Sequence, residues 1–160
     1  MNEMPDSIMR ALESGYRAQQ AGNLPSAEKT YQQVLAQDAD NIHALNLLGM
    51  LCVNSQRPRE AVEYLLRAIS QQPDNPQTQN NIGLAYKDLG RNNRSIEHFT
   101  KAAELDPDNP DVHNNLGNVL RIVEKPRKAV AAYERALKIA PTFAECWSNL
   151  AAALNELGKH

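Results

Sequence analysis

The sequence predicts an all-α solenoid of antiparallel helix pairs, about nine helices in all, and three observations predict it. The first is a register of 34 residues that runs the length of the chain. Gly15, Gly49, Gly83, Gly117 and Ala151 form one column, and Tyr31, Leu65, Phe99 and Tyr133 a second. Val34, Ala68, Ala102 and Ala136 form a third, and Pro73, Pro107 and Pro141 a fourth. The second observation is helical spacing of apolar residues between these markers, as in Ile96, Phe99, Ala102 and Ala103. The third is punctuation: each period holds an internal turn, such as Gly90, and a closing one, such as Asp106-Pro107. Two short helices joined at a turn cannot bury their own apolar faces, so stacked neighbours must cover them.

Taken in order, residues 1–7 form a polar extension in which Asp6 or Ser7 is the expected cap of the first helix. Repeat one, 8–41, carries Met9, Leu12 and Tyr16, turns at Gly22-Asn23, and has Ala39 where later repeats have proline. Repeat two, 42–75, has the most apolar first helix, with Leu45, Leu47, Leu48, Met50, Leu51 and Val53. Repeat three, 76–109, has Ser95 where alanine is usual, and its hydroxyl is expected to bond back to the carbonyl one turn earlier. Repeat four, 110–143, places His113 at a packing position, where a core imidazole with one bonded nitrogen is expected. Residues 144–160 supply one further helix, with Trp147, Leu150, Ala151 and Leu154. Turns are expected near Gly22, Gln56, Gly90, Glu124 and Gly158, and helices of about 10–15 residues between them. The stop after Gly158 reads as a cut at an inter-helix turn. The apolar face of the last helix is therefore expected to shield itself against another copy, giving a homodimer through the C-terminal face.

These residues resemble the tetratricopeptide repeat family. Leu48-Gly49, Ile82-Gly83-Tyr86, Leu116-Gly117 and Trp147-Leu150-Ala151 carry the first half of its pattern. Ala27-Tyr31-Val34, Ala61-Leu65-Ala68, Ser95-Phe99-Ala102 and Ala129-Tyr133-Ala136 carry the second. The resemblance implies a right-handed superhelix whose first helices line a concave groove. It implies little about ligand identity, since one repeat architecture hosts many partners.

Composition narrows the function classes. The formal charge of −2 comes from 17 basic and 19 acidic residues, interspersed, which argues against nucleic acid and against a basic membrane face. Cys52 and Cys146 are the only cysteines, and neither has a partner at ligand spacing. That excludes a disulfide scaffold and a cysteine zinc site and fits a cytoplasmic protein. No phosphate loop, nucleophile elbow or paired-histidine motif occurs, so neither enzyme activity, cofactor nor metal is expected. His43 stands alone, without a second ligand, and His160 is terminal.

The informative signal is asparagine, a weak helix former that clusters here in the middle of first helices. The expected groove residues are His43, Asn46 and Met50 in repeat two, and Asn80, Asn81, Leu84 and Lys87 in repeat three. Asn114, Asn115, Asn118 and Arg121 follow in repeat four, and Asn149 in the last helix. Asn81, Asn115 and Asn149 recur at the repeat period, and an amide matches the N–H and C=O of an extended peptide. The same amides could instead bond between adjacent repeats and pin their stacking. The ladder is similar to that of protein O-linked N-acetylglucosamine transferases and related bacterial proteins of the family. By that resemblance, Asn81, Asn115 and Asn149 would contact peptide. Adaptors of the family that hold acidic chaperone tails use groove lysines and arginine; Asn114, Asn118 and Asn149 stand at those places. The expected function is a non-catalytic scaffold holding a protein or extended peptide in the groove, with Met50, Leu84 and Ile122 giving apolar contact. The alternatives are the substrate-recognition region of a larger glycosyltransferase, sulfotransferase or methyltransferase, and a self-assembly module.

Overall fold

The computed structural model describes residues 5–158, which hold nine α-helices and no strand. The chain divides into two compact units, Met1–Pro73 and Asp74–His160. The first contains α1 (Asp6–Gln20), α2 (Leu24–Gln37), α3 (Ile42–Asn54) and α4 (Pro58–Gln71). The second contains α5 (Pro76–Asp88), α6 (Asn92–Leu105), α7 (Pro110–Ile122), α8 (Pro126–Ile139) and α9 (Ala144–Leu157). In each unit consecutive helices pack as antiparallel pairs.

The helix starts were only partly anticipated. Asparagine caps four of them: Asn23, Asn41, Asn75 and Asn109 each accept a backbone N–H from the first turn that follows. Three of these caps stand one repeat apart, and Pro76 and Pro110 follow two of them at the position where a missing N–H costs nothing. The first helix corrects the expectation for its start. Asp6 is already helical, Pro5 stands in the cap position, and no side chain caps the helix. Asp6 therefore acts through its charge beside the positive end of the helix, not as a capping oxygen.

The helix ends follow one design. Gly22, Gln56, Gly90 and Glu124 have φ of 79°, 56°, 69° and 56°. In each case the next N–H reaches back to the carbonyl five residues earlier, as Lys125 does to Leu120 at 2.9 Å. This left-handed closure satisfies carbonyls the helix leaves open. Gly158 behaves differently: with φ −71° it ends α9 in helical geometry. The expectation for His160 falls outside the described residues.

Within each hairpin a glycine meets the large residue of the second helix. A Cβ on Gly15, Gly49, Gly83 or Gly117 would lie 2.4–2.7 Å from a side-chain atom of Tyr31, Leu65, Phe99 or Tyr133. Those four large side chains are fully buried. Burying each contributes about 1.5–3 kcal/mol, and only a bare backbone lets these side chains approach so closely. Ser95 departs from the expectation stated for it. Its hydroxyl donates to the Gly83 carbonyl of the facing helix at 2.7 Å, not to its own preceding turn. The substitution thus adds a bond across the closest contact in that hairpin.

Candidate protein-interaction surface

In the unit spanning α5–α9, α5 touches α7 and α7 touches α9, while α6 and α8 stay apart. The odd helices therefore form the inner side of that unit. Their repeat spacing of 34 sets which side chains share that side.

The asparagines there are hydrogen-bonded to one another. Asn115 Nδ2 donates to Asn80 Oδ1 at 3.2 Å, and Asn149 Nδ2 donates to Asn114 Oδ1 at 3.1 Å. The offset is 35 residues, one more than the repeat, so each amide reaches the neighbour of its own repeat counterpart. Asn114 also donates to Glu145 at 3.4 Å, and Gln77 donates to Asn81 at 3.3 Å. Asn80, Asn81 and Asn114 are buried, and these bonds are what makes the burial of weak helix formers tolerable. Direct bonding between repeats thus accounts for four of the five amides at 80, 81, 114, 115 and 149, and a local bond accounts for Asn81.

What remains open on the inner side is a shorter set. Leu84, Lys87, Asn115, Asn118, Arg121 and Asn149 are half-buried, and Ile122 is exposed. Asn118 Oδ1 accepts the Tyr133 hydroxyl at 2.7 Å, which leaves both amide hydrogens of Asn118 without a partner among the described residues. Burial pushes the Tyr133 hydroxyl up to about 12, so it remains a donor at neutral pH and holds that orientation. Lys87 lies 4.0 Å from Asp88, and Arg121 Nε lies 3.6 Å from Glu156. In the other unit, α3 carries His43 exposed and Asn46 and Met50 half-buried.

Several other polar groups have partners within the fold. The His113 Nε2 lies 2.9 Å from the Pro107 carbonyl, which can only accept, so that nitrogen carries the proton. One nitrogen is bonded as expected, although the ring is half-buried and not in the core. Trp147 repeats the arrangement one period later, donating from Nε1 to the Pro141 carbonyl at 2.9 Å. The sequence signal was there, since both pairs are six residues apart and one repeat from each other. His98 was missed. It stacks on Tyr86 at 5.5 Å, and its Nδ1 lies 2.7 Å from Gln79 Oε1. Burial, with Arg94 as a smaller contributor, holds its pKa below the usual histidine value. Both thiols are buried, and desolvation raises them, Cys52 to about 11, so both stay protonated and unreactive at neutral pH. Among the described residues no His, Cys, Asp and Glu group could hold a metal, and no helix is long and apolar enough to cross a membrane.

Stacked helix pairs repeating at 34 residues define a helical-repeat protein of the scaffold class. Four family models match, one described as TPR repeat over residues 83–120 and three as tetratricopeptide repeat over 18–80, 110–143 and 132–160. The chain belongs to the tetratricopeptide repeat family. No curated protein matches its sequence. Among solved structures, a crystal structure of MamA protein is 22% identical with a TM-score of 0.87, over 97% of this chain and 85% of that one. A second crystal structure of MamA is 24% identical, with a TM-score of 0.84 over 90% and 84%. A chain of the APC/C hetero-tetramer Cut9-Hcn1 is 22% identical with a TM-score of 0.86, over 92% of this chain but 30% of that one. At such identities the likeness is one of fold.

Proposed function

We propose that this protein-interaction scaffold is non-catalytic and holds an extended segment of a partner protein along the inner side of α5, α7 and α9. Asn118 carries the reading: its two amide hydrogens face no partner, while the Tyr133 hydroxyl holds its oxygen in place. A preset amide donor of this kind meets a backbone carbonyl at little entropic cost. Leu84 and Ile122 supply apolar contact beside it, and Asn115, Asn149, Lys87 and Arg121 supply polar reach. His43, Asn46 and Met50 are the corresponding residues of α3. Asn80 and Asn114 act mainly by pinning adjacent repeats and Asn81 is held by its local bond to Gln77, so their part in binding is indirect. The hetero-tetramer named for Cut9-Hcn1 supports a protein as the class of partner.

The test is Asn118→Asp, which keeps an acceptor for Tyr133 and removes the free donors. Peptides selected from a random library should bind the variant at least about fivefold less tightly, as expected for a lost bond of about 1 kcal/mol or more. Unchanged affinity with an unchanged melting temperature would remove Asn118 from the site.

A second reading, self-association, is favoured by the outer face of α9. Trp147 and Leu154 are 54% and 49% exposed there, beside exposed Ala151. Sedimentation should show a concentration-dependent dimer that Leu154→Glu abolishes; a strict monomer at high concentration would sink this reading.

A further inference from the structure

The edge of the second unit, where α5 turns into α6 and α7 into α8, differs in charge from the opposite edge. At the α7–α8 turn lies a cavity of about 960 Å³. Lys125, Arg127 and Lys128 line it together with the apolar side chains of Ile122 and Leu157. None of these three cations makes an ion pair among the described residues, whereas Arg121, on the same wall, is already engaged with Glu156. Ile122 is 56% exposed, the largest exposure of any bulky hydrophobic residue described.

One repeat earlier, the same edge has a second cavity of about 520 Å³, lined by Arg91 and Arg94 with Asn92 and Asn93 and no acidic residue. Arg94 is held in place over the Tyr86 ring at 5.5 Å and donates to its hydroxyl. The antiparallel pairing sends the other loops, α6–α7 and α8–α9, to the opposite edge. That edge carries Asp106, Asp108, Asp111 and Glu145, of which Asp108 is paired with Arg135. A net charge of −2 conceals this segregation.

The cations also sit where helix energetics disfavour them. Lys125 and Arg91 occupy the cap positions of α8 and α6 without making a capping bond. Asn, Asp, Ser or Thr stabilises such a position, and positive charge there opposes the helix dipole. Arg57 holds the matching position of α4 but is paired there with Glu28 and Glu60, whereas Lys125 and Arg91 have no ion pair among the described residues.

We propose that this edge binds an acidic segment of a partner protein. Its carboxylates meet Lys125, Arg127, Lys128 and Arg91, and one bulky apolar side chain lies against Ile122 and Leu157. The chemistry favours peptide over nucleic acid. No aromatic side chain lines either cavity to stack a base, Glu124 and Glu156 in the larger cavity repel a continuous phosphate backbone, and the apolar pair has no use for one. Spaced carboxylates around an apolar anchor can avoid those two acids, and arginine pairs with a carboxylate in two-pronged geometry. This surface adjoins the inner side proposed above and shares Ile122 with it. Lys125, Arg127 and Lys128 belong to the edge alone and Asn118 to the inner side alone, so variants at those residues separate the two.

The test is a fluorescence-anisotropy titration with a short labelled peptide of Asp and Glu around one central Leu. Its counterpart with Asn and Gln is run alongside, as are a single-stranded oligonucleotide and anionic vesicles. The acidic peptide should bind at least about tenfold tighter than its amide counterpart at low salt, and its affinity should fall by about tenfold or more towards roughly 0.3 M salt. Lys125→Glu with Arg127→Glu and Lys128→Glu should abolish binding with the helical circular-dichroism signal retained. The milder Lys125→Gln with Arg127→Gln should weaken it severalfold. Ile122→Ser should lower affinity without altering the salt slope. Equal binding of acidic and amide peptides, unchanged binding by the triple variant, or tighter binding of oligonucleotide or vesicle would each overturn the proposal.

Discussion

Helices α3 and α7 stand two repeats apart in the sequence and solve the same packing problem with different chemistry. Both start from an asparagine cap, Asn41 or Asn109, and both offer a glycine to the next helix. Beneath α3 the glycine meets Leu65, and the next residue is Met50. Beneath α7 the glycine meets Tyr133, and the residue matching Met50 is Asn118, which accepts the tyrosine hydroxyl. The hairpin between them in the sequence follows the first pattern, with Phe99 and Leu84. A buried hydroxyl requires an acceptor. Beneath α7 the residue after the glycine supplies it, whereas beneath α1 the Tyr31 hydroxyl donates to Gln19, one turn further along. At Asn118 the polarity of a candidate binding position is thus partly dictated from beneath.

The largest way to break the comparison is to fill the shared glycine. Gly49→Ala and Gly117→Ala each drive a methyl to within 2.5 Å of a buried side chain. Each should cost about 1–3 kcal/mol in thermal unfolding, in spite of better helix propensity. An unchanged midpoint in either would show that the hairpins are looser than their contacts imply.

The sharpest test is a double-mutant cycle at the polar pair. Tyr133→Phe should cost about 0.5–1.5 kcal/mol, and Asn118→Leu added to it should recover part of that loss by recreating the Phe99–Leu84 arrangement. Strict additivity of the two changes would mean the positions are uncoupled.

Smaller still is the turn. Gln56 and Glu124 hold the left-handed conformation that glycine holds at 22 and 90. Glu124→Gly and Gln56→Gly should each stabilise by about 0.5–1 kcal/mol, the relief being partly offset by the greater freedom of glycine in the unfolded chain. Destabilisation by both would indicate that these side chains make contacts worth more than the strain.

The smallest effect is one of pH. Burial lowers the folded pKa of His98, with Arg94 adding to the effect and Glu97 opposing it. Between the folded value and the usual 6.5 the unfolded chain binds more protons. The contribution is therefore complete above pH 6.5 and is lost as pH falls below it. His98→Gln should flatten that part of the melting-temperature profile; a slope that survives the substitution would assign it to other groups.

The turns, the helix count and the glycine–aromatic contacts were legible because each depends on residues inside one hairpin. The column of Gly83 and Phe99 and the break at Gly90 stand in the sequence at fixed offsets. The partners of Ser95, Asn115 and Asn149 were not legible. A hydroxyl or amide has several acceptors within reach, and the choice depends on how adjacent helices cross. The amides pair at 35 residues and not 34, an offset the repeat period alone does not give. The caps at Asn41, Asn75 and Asn109 are legible as asparagine preceding the first helical residue, one repeat apart. The basic edge escaped notice because the cations at 91, 94, 125, 127 and 128 lie among acids in the sequence and gather only when helices alternate in direction.

The glycine contacts also bear on how the chain acquires its structure. Each joins residues 16 apart, Gly15 to Tyr31 through Gly117 to Tyr133. Closing so short a loop takes on the order of 0.1 μs or less, and contacts this local favour rapid folding. No hairpin has to wait for a distant stretch of chain before forming its tightest contact. During synthesis each can therefore close soon after its own residues emerge, and the next can condense on a surface that already exists.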